Sequence, residues 1–411
     1  MRFVSHIECT RCGQAYDPSR VATVCGQCSQ MLAVRYDLGR VAAHVTKDRL
    51  RVRPPGMYRF HELLPLLAGE EPVTLGEGGT PLFALPRLAS HFGLRRLWAK
   101  DEGQNPTGTF KARGLSLAIT RARSLGTTGV IIPSAGNAGG AAAVYAARAG
   151  LRAAVVVPQD TPAAAVAEAL IAGARVFTIE GSIATAGRVV ARSAAELGWF
   201  DLSTLKEPYR LEGKKTIGLE IAEQLEWSTP DLLIYPTGGG TGLLGIAKAY
   251  EELQAMGWVG SPLPRFVAVQ AEGCAPVVRA WREKAATTTP WEHPVTHAAG
   301  LRVPAPFAGR QILDILRATN GGAVAVSEAA IAEAQRLLAR LEGVWAAPEA
   351  AAAVSALGVL KDCRDLSPDL RIVLILTGTG IKYVPPALPS LAELPRSDDA
   401  AVATICRALR E

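Results

Sequence analysis

The sequence predicts an α/β protein built on parallel sheet covered by helices on both faces, with a small cysteine-bearing unit ahead of it. Three observations predict this. From about residue 70 onward, short apolar runs alternate with helical stretches. Polar, glycine-bearing loops follow three of those apolar runs. Four of the 7 cysteines stand in two close pairs within the first forty residues.

The elements follow in order. Residues 97–100 read as a strand and 110–124 as a helix; 130–132 form a buried strand and 138–149 an alanine-rich helix. Then come a strand over 153–157, a helix over 162–172, a strand over 176–179 and a helix over 183–197. Residues 232–235 make a further strand and 242–256 a helix, while 266–270 and 372–376 are apolar strands bounded by turn residues. Strands apolar on every position are buried on both faces, which is the property of a parallel sheet. No solenoid-type repeat occurs.

Composition bounds the function. The 411 residues are 49% hydrophobic and 20% charged, enough for more than one core and unlike a disordered chain. The 44 basic and 38 acidic residues leave a net charge of +6, with Lys and Arg scattered. That excludes nucleic acid as the default partner and suits a substrate bearing carboxylate or phosphate. Aromatic residues are 6% and form no stacking stripe for bases. Residues 1–8 lack the apolar core of a signal peptide, and Arg148 and Arg152 interrupt the apolar stretch at 137–157. A cytoplasmic protein with no membrane partner is the expectation.

Residues 1–40 form their own unit. Cys9-Thr10-Arg11-Cys12 and Cys25-Gly26-Gln27-Cys28 are separated by twelve residues. A two-residue gap lets both thiolates of a pair reach one tetrahedral ion, and a metal would supply stability that so few apolar residues cannot. Four unrelated free cysteines are the alternative; the paired spacing argues against them. Cys9, Cys12, Cys25 and Cys28 are therefore expected to bind one structural zinc, with iron the other occupant such a set accepts. His293 and His297 flank Pro294 in a loop and make no helical metal pair.

Ligands of parallel sheets bind beyond the carboxyl ends of the strands. Ser134 to Asn137, Thr237 to Gly242 and Thr377 to Gly380 stand at such ends. In the second loop, successive glycines let backbone N–H groups converge ahead of a helix start, an arrangement that holds a phosphate. It matches neither the Walker nor the dinucleotide fingerprint. Lys111 follows Pro106 and Gly108 at the start of a helix. The positive helix end and desolvation both favour its neutral amine, the form a Schiff-base lysine needs. A lone lysine is more commonly a solvated surface group; the surrounding motif distinguishes this one.

Gly76 to Leu82, Asn105 to Gly114, Ser134 to Asn137, Glu212 to Thr216, the glycine loop and Leu376 to Lys382 occur in this order. The set resembles threonine synthase, of the tryptophan-synthase-β-like enzymes that use pyridoxal phosphate (PLP), over about residues 70–385. The N-terminal cysteine unit looks like the zinc ribbon of some threonine-synthase-like proteins. The resemblance implies a fold type II enzyme with two parallel-sheet αβα domains. The expected division is 1–40 as zinc ribbon, 41–110 with 206–411 as the large PLP domain, and 111–205 as the small domain. It implies that Lys111 carries PLP and moves protons, and that Asn137 bonds the cofactor's ring oxygen. Ser134 and nearby N–H groups would take the substrate carboxylate. Gly238, Gly239, Gly240, Thr241 and Gly242 would cradle the cofactor phosphate, and Thr377 would face the pyridine nitrogen. Arg113 and Arg210, helped by Lys214 or Lys215, are expected to take an anionic side chain of the substrate; salt bridges between domains are their alternative role.

The chain departs from the family pattern in places. Ala112 stands where Asp is usual, Gly239 and Gly242 where the loop usually carries Asn, and Leu205 and Glu207 where Ser and Asn are usual. The expected function is a PLP-dependent lyase that converts O-phospho-L-homoserine and water to L-threonine and phosphate. The alternatives are a threonine or serine ammonia-lyase, an O-phosphoserine-type β-replacing synthase, and, from another class, a PLP-binding protein without turnover. The expected partners are a small anionic amino acid and a second copy in a homo-oligomer (a dimer).

Overall fold

The computed structural model describes residues 3–363, 366–383 and 393–409. Its described strands form three sheets. The first is antiparallel, with Val4–Cys9 between Ala15–Tyr16 and Leu32–Tyr36. The second has four parallel strands in the spatial order Arg175–Ile179, Arg152–Pro158, Gly129–Pro133, Phe200–Asp201. The third has six strands in the order Gly322–Val326, Arg265–Ala271, Leu232–Pro236, Arg371–Leu376, Arg96–Asp101, Leu82–Ala84. Its last pair alone is antiparallel.

The alternation read from the sequence corresponds to helices Lys111–Ser124, Asn137–Ala149, Ala163–Ile171, Ile183–Leu197 and Thr241–Ala255. Strand Leu232–Pro236 is buried throughout, as its all-apolar run requires. Its alternate side chains enter different cores. Leu233 and Tyr235 join Phe266 and Val373 on one face, while Leu232 and Ile234 join Val267 and Ile372 on the other. Helix Tyr209–Gln224 packs against helix Lys111–Ser124, and its residues Tyr209–Ala222 are all buried.

The N-terminal sheet does not stand alone. Ile7, Leu32 and Val34 share a core with Leu115, Ile119 and Tyr145 of the body. Tyr36 Oη donates to Glu212 at 2.7 Å, and Lys215 Nζ lies 4.0 Å from the Tyr36 ring centre. The poverty of apolar residues around the cysteines is thus offset by borrowed core as well as by any metal. No described helix is long and apolar enough to cross a membrane.

Candidate active site

The loops after strands Gly129–Pro133, Leu232–Pro236 and Arg371–Leu376 open onto one cavity of about 450 Å³. Volumes of this order hold small ligands and cofactors. Lys111, Ser134, Asn137, Gly238, Gly239, Gly240, Thr241 and Thr377 all line it. The lysine segment and the Thr377 segment are tied by backbone: Phe110 N–H donates to Thr377 O at 3.0 Å and Thr379 N–H to Gly108 O at 2.9 Å. Two stretches far apart in sequence thereby hold their side chains in one register.

The glycine loop is shaped by what a side chain would strike. A Cβ on Gly238 would lie 2.2 Å from Gly300 O, and one on Gly240 would lie 2.4 Å from Ile312 Cδ1. Gly240 also has φ +78°, in the left-handed region, where it precedes helix Thr241–Ala255. The loop's N–H groups and that helix start make a cradle for a phosphate, and the donors present fit the phosphate of PLP. Gly242 is not among the lining residues; a Cβ there would strike Tyr235 Oη at 1.9 Å, so close packing requires glycine.

Lys111 opens helix Lys111–Ser124, with Nζ 4.6 Å from the Phe110 ring centre. Desolvation, reinforced by Arg210 and opposed by Glu349, lowers its pKa from 10.5 to about 8. An amine so depressed is available as the neutral nucleophile a carbonyl cofactor needs. Ser134 Oγ donates to Gly136 O at 2.8 Å and accepts from Gly139 N–H at 2.9 Å, closing the turn that leads into helix Asn137–Ala149. Asn137 Nδ2 donates to Tyr383 Oη at 2.6 Å.

Arg113 spends its hydrogen bonds on two carboxylates. Nε and Nη2 donate to Glu102 at 2.6 and 2.7 Å, and Nη1 and Nη2 donate to Glu220 at 2.6 and 2.7 Å. Its guanidinium is enclosed in this network and does not line the cavity. Lys215 is paired with Glu212 at 2.6 Å and Glu252 at 2.8 Å, and Lys214 Nζ donates to Phe110 O at 2.9 Å; neither lines the cavity. Arg210, close enough to Lys111 to lower its pKa, is not among the lining residues; its Nη1 donates to Leu202 O at 2.5 Å and to Thr204 Oγ1 at 3.2 Å.

Glu349 and Tyr383 also line the cavity, and the sequence reading missed both. Glu349 accepts from Gly300 N–H at 2.7 Å. Burial raises its pKa; the Gly300 N–H and nearby Lys111 oppose that rise. Its one signal was Pro348 ahead of it, marking a helix start. Tyr383 stands directly after the motif that ends in Gly380-Ile381-Lys382.

The sulfurs of Cys9, Cys12, Cys25 and Cys28 all lie within 4.8 Å of one another, and none of these residues lines the cavity. Cys9–Cys28, Cys12–Cys25 and Cys12–Cys28 are 3.4, 3.5 and 3.7 Å apart. A tetrahedral zinc with bonds of about 2.3 Å requires edges of about 3.8 Å, so the set fits such an ion. Tyr16 Oη donates to Cys25 Sγ at 3.2 Å, the kind of outer contact that orients a ligand.

Known proteins resemble this chain in sequence and in fold. The family model described as "Pyridoxal-phosphate dependent enzyme" matches residues 73–378. A threonine synthase of Methanosarcina acetivorans is 36% identical over 405 residues, 98% of each chain. A threonine synthase of Methanocaldococcus jannaschii is 36% identical over 91% of this chain and 92% of its own. Among solved structures, a threonine deaminase from Solanum lycopersicum superposes with TM-score 0.62 at 21% identity, over 73% of this chain and 83% of that one. Maize serine racemase has TM-score 0.64 at 23% identity, over 80% and 92%. Both are likenesses of fold. With a family match across most of the chain and end-to-end relatives of one kind, the chain belongs to the pyridoxal-phosphate-dependent enzymes and, within them, to the threonine synthase family.

Proposed function

We propose that the protein is a threonine synthase, converting O-phospho-L-homoserine and water to L-threonine and phosphate. The observation that carries this is the end-to-end similarity to threonine synthases, joined to a cavity that gathers Lys111, Asn137, the glycine loop and Thr377. When bound, PLP supplies the electron sink that makes the substrate's α- and β-hydrogens removable and its γ-phosphate a leaving group.

The chain's own residues supply the rest. Lys111 is the attachment point and, once free, the base and acid that moves protons at Nζ. Asn137 presents an amide to the cofactor's ring oxygen, held in place by its bond to Tyr383. Gly238 to Thr241 offer backbone N–H groups to the cofactor phosphate. Thr377 gives the ring nitrogen an uncharged hydroxyl partner. Unlike a carboxylate, a hydroxyl does not hold that nitrogen protonated, which favours elimination and replacement at the side chain over transamination. The turn closed by Ser134 leaves the N–H groups that open helix Asn137–Ala149 to the substrate carboxylate. Glu349 is a second protonatable group near Lys111, available to hold a proton while the amine holds none.

Zinc is the proposed occupant of the four cysteines, with a structural role because all four positions are protein ligands. The divided large domain, the small domain over 111–205 and a homodimer belong to the same reading.

The test is a substrate screen on purified holoenzyme, measuring phosphate release and threonine formation. O-phosphohomoserine should give both in equal amounts, while threonine and serine give little keto acid. Rapid ammonia and keto acid from threonine or serine, with no phosphate from O-phosphohomoserine, would make the protein an ammonia-lyase instead.

A further inference from the structure

No described residue of the first forty lines the cavity, yet the cysteine unit presses on the elements that shape the phosphate loop. Thr10 stands between Cys9 and Cys12, and Met31 follows three residues after Cys28. The two are joined, because the backbone N–H and the hydroxyl of Thr10 both donate to Met31 O at 3.1 Å. The same hydroxyl accepts from Gln311 Nε2 at 3.2 Å. Gln311 lies in the first turn of helix Gly309–Ala318. The next residue, Ile312, is the one whose Cδ1 leaves no room for a side chain on Gly240.

Met31 makes a second approach to the same loop. It is buried in a cluster with Leu244 and Ala308, and Phe307, which packs against that cluster, lines the cavity. Leu244 is in the first turn of helix Thr241–Ala255, and its N–H donates to Gly240 O at 3.0 Å. The two knuckles thus reach Gly240 from two sides, through Gln311 with Ile312 and through Met31 with Leu244.

The last strand of the unit takes hold farther along that helix. Its Lys248 and Glu252 form a buried charge set with Glu212 and Lys215 of helix Tyr209–Gln224. Tyr36 closes the set: its hydroxyl donates to Glu212 at 2.7 Å, and its ring centre lies 4.0 Å from Lys215 Nζ and 4.8 Å from Lys248 Nζ. Buried charges are tolerated only while their partners stay in place, so this contact is a fixed point. The helix whose start offers N–H groups to the cofactor phosphate is therefore gripped at both points by the cysteine unit.

We propose that the cysteine unit braces the phosphate cradle, so that zinc in the four cysteines and PLP in the cavity tighten each other's binding. This rests on the zinc and PLP readings given above and is independent of which amino acid is the substrate. Metal holds the knuckles, and with them Thr10 and Met31, against the loop from behind. The cofactor phosphate holds the same loop from the cavity side. Each binding event orders the shared helix start, so the second has less left to order, and the coupling is reciprocal. Tyr36 keeps its grip when metal leaves, so the effect is on affinity, and cofactor absorbance at saturating PLP persists.

The experiment uses full-length protein, zinc-loaded or stripped by a chelator that is then removed, and the variant Gln311→Ala. The Gln311 side chain touches the first knuckle and lines no part of the cavity. Equilibrium dialysis gives the PLP dissociation constant, and titration against a zinc buffer gives zinc affinity with and without PLP. Loss of zinc should weaken PLP roughly fivefold or more, and PLP should tighten zinc by the same factor. Gln311→Ala should weaken PLP roughly threefold or more while still holding one zinc. Near-ultraviolet circular dichroism checks the fold; if stripped protein loses it, Gln311→Ala decides alone, since it keeps the metal. PLP constants within about twofold of one another in every form would overturn the brace and leave both sites standing. Protein that binds PLP tightly yet takes up no zinc would remove the zinc reading, and the coupling with it.

Discussion

Arg113 is joined to Glu102 by two hydrogen bonds, from Nε at 2.6 Å and from Nη2 at 2.7 Å, and neither side chain is exposed to solvent. Glu220 takes the other side of the same guanidinium and also pairs with Lys100 at 2.6 Å. The two carboxylates hold Arg113 firmly charged, and the cations hold Glu220 below the usual carboxylate range. The network pins the first turn of the helix that Lys111 opens. Removing one partner strands an uncompensated buried charge, at a cost of about 3–5 kcal/mol. Arg113→Ala should therefore act mostly on stability, measured by denaturant unfolding. A large rise in the Michaelis constant with unchanged stability would return Arg113 to the substrate site.

The state of Lys111 predicts a pH profile for cofactor loading. The neutral amine is the reactive form, and its fraction grows as pH rises through about 8 in the cofactor-free protein. An ordinary lysine would show that rise only near 10.5. The rate of absorbance recovery on adding PLP to cofactor-free protein should accordingly climb across pH 8. Glu349 raises the lysine pKa through its negative charge, so Glu349→Gln should move the midpoint to lower pH. A midpoint that stays put would mean that Glu349 carries no charge beside the free amine.

Much of this arrangement was legible because the parallel sheets announce themselves. Strands such as Leu232–Pro236 are buried on both faces, so they must be apolar throughout, and the helices between them carry clear ends. The cavity loops were legible for the same reason: glycine and hydroxyl residues at strand ends have few structural uses. Helix Tyr209–Gln224 was not legible as a buried element. It holds Arg210, Glu212, Lys214, Lys215 and Glu220 inside the protein, where pattern reading expects apolar residues. Most of those charges are tolerated through ion pairs with Arg113, Lys100, Lys248 and Glu252, partners that lie outside this helix. The partners of Arg113 and Arg210 could not be read for the same reason, since proximity to a motif says nothing about which way a guanidinium points. Glu349 was missed because a single carboxylate at a helix start ordinarily serves the helix dipole.

The cysteine cluster predicts a local loss. Cys25→Ser should release metal, with elemental analysis falling from about one zinc per chain to near none. The first forty residues should become more susceptible to proteolysis around the cysteines, while the bond of Tyr36 to Glu212 and the shared core keep the unit attached. Cofactor absorbance should persist, because the cavity takes no residue from this unit. Wild-type protein purified without chelators and found free of metal would remove zinc from the account.

The glycine loop gives the last prediction, and it contrasts two neighbours. A Cβ on Gly238 would stand 2.2 Å from Gly300 O, a backbone atom that cannot swing aside. Gly300 is itself held, because its N–H donates to Glu349 at 2.7 Å and a Cβ on it would crowd that carboxylate at 2.9 Å. Gly238→Ala must therefore push the phosphate loop away from the 299–301 segment or break the bond to Glu349. Either change displaces the N–H groups proposed to hold the cofactor phosphate. At Gly239 the nearest atom to a new Cβ is Thr204 Cγ2 at 3.2 Å, the methyl of a side chain that can rotate. Gly238→Ala should weaken PLP binding at least roughly tenfold, or about 1.4 kcal/mol, while Gly239→Ala changes it far less. Equilibrium dialysis against graded PLP concentrations measures both. Equal losses at the two positions would mean that Gly239 also approaches the cofactor too closely for a methyl group. No loss at Gly238 would mean that the loop is not the cradle.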